Sequence, residues 1–495
     1  MKCFEEIQLD KESAKHLYVQ LYEKIRDLIC EGSLAENEKL PPIRQMADLL
    51  NVNNVTIVNA YDLLEKEGFV YKKIGSGTYI APIYLEQKMM VDSDFSDDDI
   101  KLMDRGQMQI KENMLSFASA TPTPDMFPVE DFKILLNEVL DRDGGNAFGY
   151  QESQGYYPLR ESLVDYLEKY DIMADPEDVQ IISGAQQGID VISKALVGFG
   201  DSVIVESPTY TGAIATLKSR GAKIIDIPIQ EDGIDIEALE TCMKEYHPKM
   251  IYLMPNFQNP TGCSYSLEKK QRVLELAYKY NILIVEDDYL SDLNFYSDDN
   301  STLKSHDRQD AVIYIKSFSK IFMPGLRLGF LVIPQKLKHK ILAAKHASDI
   351  STSGLNQRAF DLYLRKGIWK KHILFMENIY KERFDLMHGC IEKYIVGKGI
   401  HYHKPKGGLN FWLCLPKGYS SNALYTEAVK NSIVFVPGSI FFSSQTVSNC
   451  FRISIAGVYP KDIEKGVKKL ADTIDVFLNK EDRKGATQKG FIPLL

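Results

Sequence analysis

The first eighty residues carry apolar positions with helical spacing, followed by a short stretch in which apolar and polar residues alternate. Gly68 would end the last helical segment, and Gly75-Ser76-Gly77 predicts the tip of a hairpin within the alternating stretch. The predicted helices are 16–30, 43–50 and 55–67, and the predicted strands are 69–73 and 78–81. This order predicts a helix, a helix-turn-helix and a β-wing.

From residue 117 onward, strand-length apolar runs alternate with helical segments, which predicts a mostly parallel sheet with crossover helices. The clearest strands are 203–205, 223–227, 250–253, 283–286 and 311–315, and the strands 407–415 and 451–455 predict a smaller C-terminal subdomain. The acidic segment 83–113 predicts a flexible linker, and 481–495 a polar tail. We therefore predict an α/β protein with domains over 1–82 and 114–480.

Length and composition limit which classes of protein this chain can belong to. A chain of 495 residues with 44% hydrophobic residues is long enough for two or three domains with a large core. Its apolar runs are strand-length and its first residues lack a signal-peptide core, so neither a membrane span nor secretion is expected. Seven cysteines without close pairs or metal-ligand spacing fit a reducing cytoplasm with buried or idle thiols, and no metal site is expected. The net charge of −9 does not itself indicate a nucleic-acid partner.

Lys320 is the strongest candidate for chemistry. It follows a Ser-rich turn, Ser317 to Ser319, after the apolar run 311–315, and Arg327 comes later on the same segment. A lysine that attaches an aldehyde cofactor must be held rigidly against it, and an arginine fork suits a phosphate group. For a lysine taken alone, a solvated loop position is the alternative.

Three other segments could complete such a site. Ser183-Gly184-Ala185-Gln186 follows the strand 179–182 and begins a helix, where exposed N–H groups bind phosphate. Asn259 stands in an Asn-Pro turn, and Asp287 ends an apolar strand, where the ligands of a parallel sheet bind. Strand alternation favours Asp287 over its two acidic neighbours as the carboxylate that faces a ligand.

Together these segments resemble the cofactor-binding segments of fold-type I aminotransferases, which use pyridoxal 5′-phosphate (PLP). More narrowly, the chain from about residue 17 to about residue 477 resembles the MocR-type branch of the GntR transcription regulators. In that family a winged helix-turn-helix is fused to an aminotransferase-like domain. Leu40-Pro41-x-x-Arg44, Glu67-Gly68 and Gly75-x-Gly77-Thr78 carry the N-terminal part of the resemblance. The resemblance implies a fold-type I large subdomain, a smaller α+β C-terminal subdomain and a homodimer.

The resemblance also assigns roles to individual residues. Lys320 would hold PLP and act as general base, Asp287 would keep the ring nitrogen protonated, and Tyr289 would assist at the phenolic oxygen. Tyr150 would reach the cofactor phosphate of the neighbouring subunit. Arg452 would hold a substrate carboxylate, with an internal salt bridge as the alternative. The implied cofactor-binding residues are Tyr150, Gly184, Ala185, Gln186, Tyr210, Asn259, Asp287, Tyr289, Ser317, Ser319, Lys320 and Arg327.

For the N-terminal domain, the resemblance implies double-stranded operator DNA as the partner. Asn54 stands where relatives often carry arginine, so asparagine amides that pair with adenine edges are the proposed readers of the bases. The candidate DNA contacts are Arg44, Asn53, Asn54, Thr56, Asn59 and Gly77.

Three functions are compatible with these features. The favoured hypothesis is a regulator that binds DNA and senses PLP or a small amino compound. The second is a working aminotransferase with an accessory DNA-binding domain, because the residues that transamination needs are present. The third is a scaffold whose winged helix binds protein, and the complete set of cofactor residues argues against it.

Overall fold

The computed structural model describes residues 16–30, 38–66, 69–73, 76–80, 114–444 and 447–481, together with Phe4, Ile7, Leu9 and Leu34. The chain divides into two compact units, Met1–Ser96 and Asp97–Leu495. The predicted linker 83–113 lies outside the described residues, as does the predicted tail after Glu481.

In the described part of the N-terminal unit, three helices precede a β-hairpin. The helices are α1 (Leu17–Cys30), α2 (Ile43–Leu50) and α3 (Asn54–Lys66), and the antiparallel strands are β1 (Val70–Lys73) and β2 (Gly77–Ile80). Asn51 ends α2 in the left-handed conformation, with a φ of 50°, and its N–H bonds the last turn of the helix. The apolar faces of the helices meet in one core that includes Leu21, Ile57 and Leu64.

The second unit is built on a large mixed sheet that is mostly parallel, as predicted. Its strands are β4 (Val179–Ile182), β5 (Ser202–Ser207), β6 (Lys223–Gln230), β7 (Gly233–Ile234), β8 (Met250–Leu253), β9 (Leu283–Asp288), β10 (Val312–Ser317) and β11 (Gly329–Val332). They lie in the order β4-β11-β10-β9-β8-β5-β6-β7. β6, β5, β8, β9 and β10 are parallel, and β11 runs antiparallel between β10 and β4. The carboxyl ends of the parallel strands therefore meet at one edge.

Helices precede, connect and follow these strands along the chain. They are α4 (Val129–Asp143), α5 (Tyr157–Glu168), α6 (Ala185–Leu196), α7 (Thr211–Ser219), α8 (Ile236–Tyr246), α9 (Leu267–Tyr280), α10 (Leu303–His306), α11 (Lys338–His346) and α12 (Gly354–Arg365). The residues of β8 and β10 are buried along their whole length, as expected for strands covered on both faces.

A smaller sheet forms the C-terminal subdomain. Its antiparallel strands β12 (His401–Tyr402), β13 (Asn410–Cys414), β16 (Cys450–Ser454) and β15 (Val436–Pro437) lie in that order. Separately, β14 (Ile433–Val434) pairs in parallel with β3 (Leu115–Ser116), and this pairing joins the start of the described part of the unit to its C-terminal subdomain. The accompanying helices are α13 (Ile368–Tyr394), α14 (Ser421–Lys430) and α15 (Pro460–Glu481). Among the helices described, none has both the length and the apolar content that crossing a bilayer needs.

The prediction that the cysteines are idle thiols is wrong for two of them. Cys414 on β13 lies directly opposite Cys450 on β16, and the two sulfurs form a disulfide. A separation of 36 residues hides this pair in the sequence, because the pairing of β13 with β16 brings the two positions together. Cys242, Cys263 and Cys390 are free.

Candidate functional site

Lys320 lies on the turn that follows β10, held by the core beneath it. Phe318 and Phe322, on either side of the lysine, are both buried. Nε2 of the buried His372 lies 2.9 Å from the carbonyl oxygen of Ile321 and donates a hydrogen bond to it in the corresponding tautomer. The turn is therefore anchored next to the lysine on both sides.

The environment of Lys320 favours its neutral form. Burial is the main cause, and the positive charges of Arg452 and Arg327 add to it, so that the pKa of the Lys320 amine falls to about 8. A neutral amine is the form that attacks a carbonyl carbon, and a lowered pKa enlarges that fraction near neutral pH.

The three consecutive acidic residues at the end of β9 have different partners. Glu286 accepts two backbone N–H groups at the start of α10, and Asp288 is paired with the buried ammonium group of Lys316. One oxygen of Asp287 accepts a 2.6 Å hydrogen bond from the hydroxyl of Tyr252. Its other oxygen, Oδ1, is buried without a partner among the described residues. Asp287 is thus the member of the trio with an acceptor available for a ligand.

Gly184 and Arg327 form a concave corner at the start of α6. Gly184 has a φ of 84°, and a Cβ atom there would lie 2.6 Å from Nη2 of Arg327, so the position requires glycine. The same Nη2 donates a hydrogen bond of 2.7 Å to the carbonyl oxygen of Ser183. Across the corner, Ser317 accepts a hydrogen bond from the backbone N–H of Ser319. The corner combines a guanidinium group, hydroxyls and helix N–H groups, which suits a phosphate.

Gln186 takes part in this corner through its backbone. α6 begins at Ala185, so the N–H groups of its first turn have no partners within the helix. The side-chain amide of Gln186 donates instead to the carbonyl oxygen of Gly212 and the hydroxyl of Thr216 on α7. A phosphate at the start of α6 would therefore meet the backbone N–H of Gln186 and not its amide.

Arg452 on β16 is buried, with 7% of its surface exposed. Its Nη1 donates to Oδ1 of Asn259 and its Nη2 to the carbonyl oxygen of Ala118, each at 2.8 Å. Its Nε has no partner among the described residues, and no described carboxylate forms an ion pair with it. Burial lowers the pKa of Arg452 to about 10. The internal salt bridge considered as the alternative is thus not seen in the part of the chain that the structure describes.

The three candidate tyrosines have different surroundings. The hydroxyl of Tyr289 donates to the carbonyl oxygen of Phe257 at 2.7 Å and accepts from Nδ2 of Asn410 at 3.2 Å. Tyr210 is half-buried, and burial raises its pKa to about 12. Tyr150 is 84% exposed. The sequence did not lead us to Asn410, although a polar residue within an apolar strand can indicate a functional position.

Gln258 joins the two loops that carry Asn259 and Tyr210, and sequence reasoning missed it as well. Its Nε2 donates to the carbonyl oxygen of Pro208 at 2.7 Å and to Oε2 of Glu206 at 3.2 Å. Both Gln258 and Glu206 are fully buried. We call this pair the Gln258–Glu206 link. No local pattern marks it, because Glu206 lies on β5 and Gln258 lies in the loop after β8, far apart in the sequence.

The candidate DNA contacts lie on α2, on α3 or directly before it, and on the hairpin. Oδ1 of Asn53 accepts the N–H of Val55 at 2.7 Å and so caps α3, which leaves chiefly the amide N–H₂ of Asn53 for a partner. Gly77 has a φ of 128° and lies against the side chain of Lys39. Of the other candidates, Thr56 is partly exposed and Arg44, Asn54 and Asn59 are exposed.

Comparison with known proteins assigns the chain to a family. Residues 112–470 match the model of the class I and II aminotransferases, and residues 17–80 match that of the gntR family of bacterial regulatory proteins. The chain is 27% identical over 470 residues to the probable rhizopine catabolism regulatory protein MocR of Rhizobium meliloti, a similarity that covers 93% of this chain and 94% of that protein. The chain belongs to the MocR-type GntR regulators, with a class I and II aminotransferase domain.

The large domain of this MocR-type regulator is also similar to aminotransferases. It is 33% identical over 368 residues to aromatic-amino-acid aminotransferase 1 of Thermococcus litoralis, which covers 73% of this chain and 88% of that protein. The crystal structure of LysN, an α-aminoadipate aminotransferase of Thermus thermophilus complexed with N-(5′-phosphopyridoxyl)-L-leucine, gives a TM-score of 0.71 at 32% identity. That match covers 78% of this chain and 100% of LysN. The cofactor of the family is PLP.

The residues of the site fit this cofactor. The unpartnered Oδ1 of Asp287 can accept a ring N–H, the Gly184–Arg327 corner can hold the phosphate, and the amine of Lys320 can attach the aldehyde. When bound, PLP supplies an aldehyde that combines with amines and a ring that withdraws electrons.

Proposed function

We propose that this protein binds operator DNA through residues 1–82 and senses an amino compound or a B6 vitamer through residues 114–480. Arg452 carries the proposal, because its buried guanidinium group has no carboxylate partner among the described residues. A buried charge without a counter-ion costs free energy, so an incoming carboxylate is favoured there. We therefore expect an amino acid as effector, with its amine toward Lys320 and its carboxylate toward Arg452.

The effector regulates DNA binding only if it prefers one arrangement of the chain over another. The coupling is then reciprocal, so operator DNA changes the affinity for the effector by the same factor. The proposed working form is a cytoplasmic homodimer that reads two half-sites. The exposed ring of Tyr150 supports this, because in a dimer it would be free to contact the partner subunit.

Lys320→Ala tests the proposal. DNA fragments recovered by binding-site selection would be titrated with the purified protein, with and without candidate amino acids, while the visible spectrum of the bound cofactor is recorded. We expect the variant to lose both the visible absorbance and the effect of the amino acid on DNA binding. Lys430→Ala, which changes an exposed lysine, should keep both. An unaltered response in Lys320→Ala would contradict the proposal.

A catalytic aminotransferase is the second candidate function. The lowered pKa of Lys320 favours it, since an amine that titrates near pH 8 can take up and release protons under physiological conditions. Steady-state assays with an amino donor and a 2-oxo acid separate the two functions. Sustained turnover would establish the enzyme, whereas conversion that stops after one equivalent would favour the sensor. DNA binding with a steep salt dependence would exclude the scaffold hypothesis.

A further inference from the structure

The disulfide lies next to Arg452 on the same face of the small sheet. In the pairing of β13 with β16, Cys414 opposes Cys450 and Trp412 opposes Arg452. Side chains two positions apart on a strand share a face of the sheet. The disulfide and the Trp412–Arg452 pair are therefore successive cross-strand pairs on one face, while Leu413 and its partner occupy the opposite face.

Both pairs are of the type in which side chains approach closely. The backbone N–H of Leu415 donates to the carbonyl oxygen of Asn449 at 2.9 Å, which marks that pair as hydrogen-bonded. Hydrogen-bonded and non-hydrogen-bonded pairs alternate along an antiparallel ladder, and side chains are closer in the second type. Cys414 and Cys450 belong to the second type, with their Cα atoms 3.9 Å apart, and so do Trp412 and Arg452.

The chain that leads to Cys450 also contacts the arginine. The guanidinium carbon of Arg452 lies 5.4 Å from the centre of the Phe441 ring. The carbonyl oxygen of Phe441 accepts the N–H of Thr209, the residue before Tyr210, at 2.8 Å. Phe441 thus contacts Arg452 through its ring and bonds the residue before Tyr210 through its backbone.

We propose that Cys414 and Cys450 form a reversible thiol–disulfide modification site whose state sets the affinity of Arg452 for the carboxylate of the effector. The inference rests on the proposed sensing function and adds redox control of effector binding at the same site. Both cysteines are partly exposed, so small thiols can reach them. In a reducing compartment a disulfide is transient and responds to the redox state.

The chemistry is thiol–disulfide exchange with a small disulfide of the surroundings. The thiolate of one cysteine attacks that disulfide and releases one thiol, and a mixed disulfide forms. The second cysteine then displaces the remaining thiol and closes the Cys414–Cys450 bond. Two electrons and two protons pass from the protein to the small molecule, which leaves as two thiols. A small dithiol reverses both steps.

The Cys414–Cys450 disulfide should raise the affinity of Arg452 for carboxylates. With the bond formed, β16 is covalently tied to β13 two residues along the strand from Arg452, and the guanidinium group is held in place before a ligand arrives. Preorganisation of this kind lowers the entropy lost on binding. We expect reduction to weaken the binding of an amino acid about fivefold, which is within the usual range of coupling between sites.

The test uses the full-length, PLP-loaded protein in buffers of oxidised and reduced dithiothreitol. Peptide mapping by mass spectrometry follows the Cys414–Cys450 bond. Calorimetry compares L-leucine with isopentylamine, which is leucine without its carboxylate. Reduction should weaken the binding of leucine and leave that of isopentylamine unchanged. The double variant Cys414→Ser/Cys450→Ser should behave like reduced protein in every buffer, and Cys242→Ser should respond like the wild type.

A second measurement does not depend on the effector. The rate at which phenylglyoxal modifies Arg452, mapped on peptides, should rise several-fold on reduction and in the double variant. If the bond does not form, or if this rate is the same in both redox states, the inference is overturned. If leucine binds in neither state while the rate still changes, the proposed effector class fails and the redox site stands.

Discussion

The guanidinium group of Arg452 donates a hydrogen bond of 2.8 Å to the amide oxygen of Asn259. The two residues lie in different subdomains, Arg452 on β16 of the small sheet and Asn259 after β8 of the large one. Because the amide oxygen is taken, Nδ2 of Asn259 remains as a donor to a ligand oxygen. One contact therefore orients the amide and positions the guanidinium group for a carboxylate.

Replacing Arg452 should affect only ligands that carry a carboxylate. Arg452→Gln removes the charge and keeps a hydrogen-bond donor, so we expect amino-acid affinity to fall about 100-fold, in line with the loss of a buried charge pair. Calorimetric titration with leucine and isopentylamine measures this. Arg452→Lys should recover part of the affinity. An equal loss for both ligands would show that the arginine has a structural role.

The cofactor-free protein should lose stability as the pH rises through the titration of Asp287. Burial raises the pKa of this carboxyl to about 6, above its ordinary value of 3.8. The folded state binds the proton more tightly, so the contribution to the free energy of unfolding is fully present below the lower pKa and is lost as the pH rises through the higher one. The loss is at most about 3 kcal/mol.

Urea unfolding of cofactor-free protein between pH 4 and pH 7 measures this contribution. Asp287→Asn should show a weaker fall in stability than the wild type over this window, because only the wild type loses the Asp287 proton. Asp298→Asn changes an exposed carboxyl and should follow the wild type. Identical pH dependence in Asp287→Asn and the wild type would contradict the raised pKa.

The Gln258–Glu206 link should be needed for stability and for slow release of PLP. Gln258→Met keeps the volume but takes from the Pro208 carbonyl the amide donor seen here, and it removes one of the three donors to the buried Glu206, which still accepts from Tyr265 and Met254. This loss costs about 1–3 kcal/mol. We expect a lower urea midpoint and faster release of PLP, because Asn259 and Tyr210 lose their common support. Gln230→Met, at an exposed position, is the control. Unchanged PLP release would show that the link serves the fold alone.

Replacing Asn53 should mainly affect stability, whereas replacing Asn54 should mainly affect the choice of DNA sequence. Asn53→Ala removes the cap of α3 and should cost about 1 kcal/mol of stability, with a similar weakening on every DNA sequence. Asn54→Ala changes an exposed residue at the start of α3 and should lower affinity tenfold or more for the selected site. Thermal unfolding and competition with mismatched sites check both. If Asn54→Ala binds all sites like the wild type, Asn54 does not read bases.

Much of the fold follows from local pattern. The described helices of the N-terminal unit lie within about one residue of their predicted bounds, because apolar spacing acts over a few residues. Gly68, the predicted end signal of the last of them, lies outside the described residues. The strands 179–182 and 250–253 are found with the predicted bounds, and the other predicted strands are found with ends shifted by a few residues. The lysine turn and the Asp287 strand were recognisable for the same reason, since each is a contiguous segment.

The contacts that complete the site have no local signal. Cys414 meets Cys450, Asn410 meets Tyr289, and Gln258 meets Glu206 only after separate strands have been placed beside one another. The sequence by itself determined which segments would be helix or strand and which side chains could do chemistry. The tertiary structure alone decided their partners, because burial, strand register and hydrogen bonding between distant segments arise only when the chain packs.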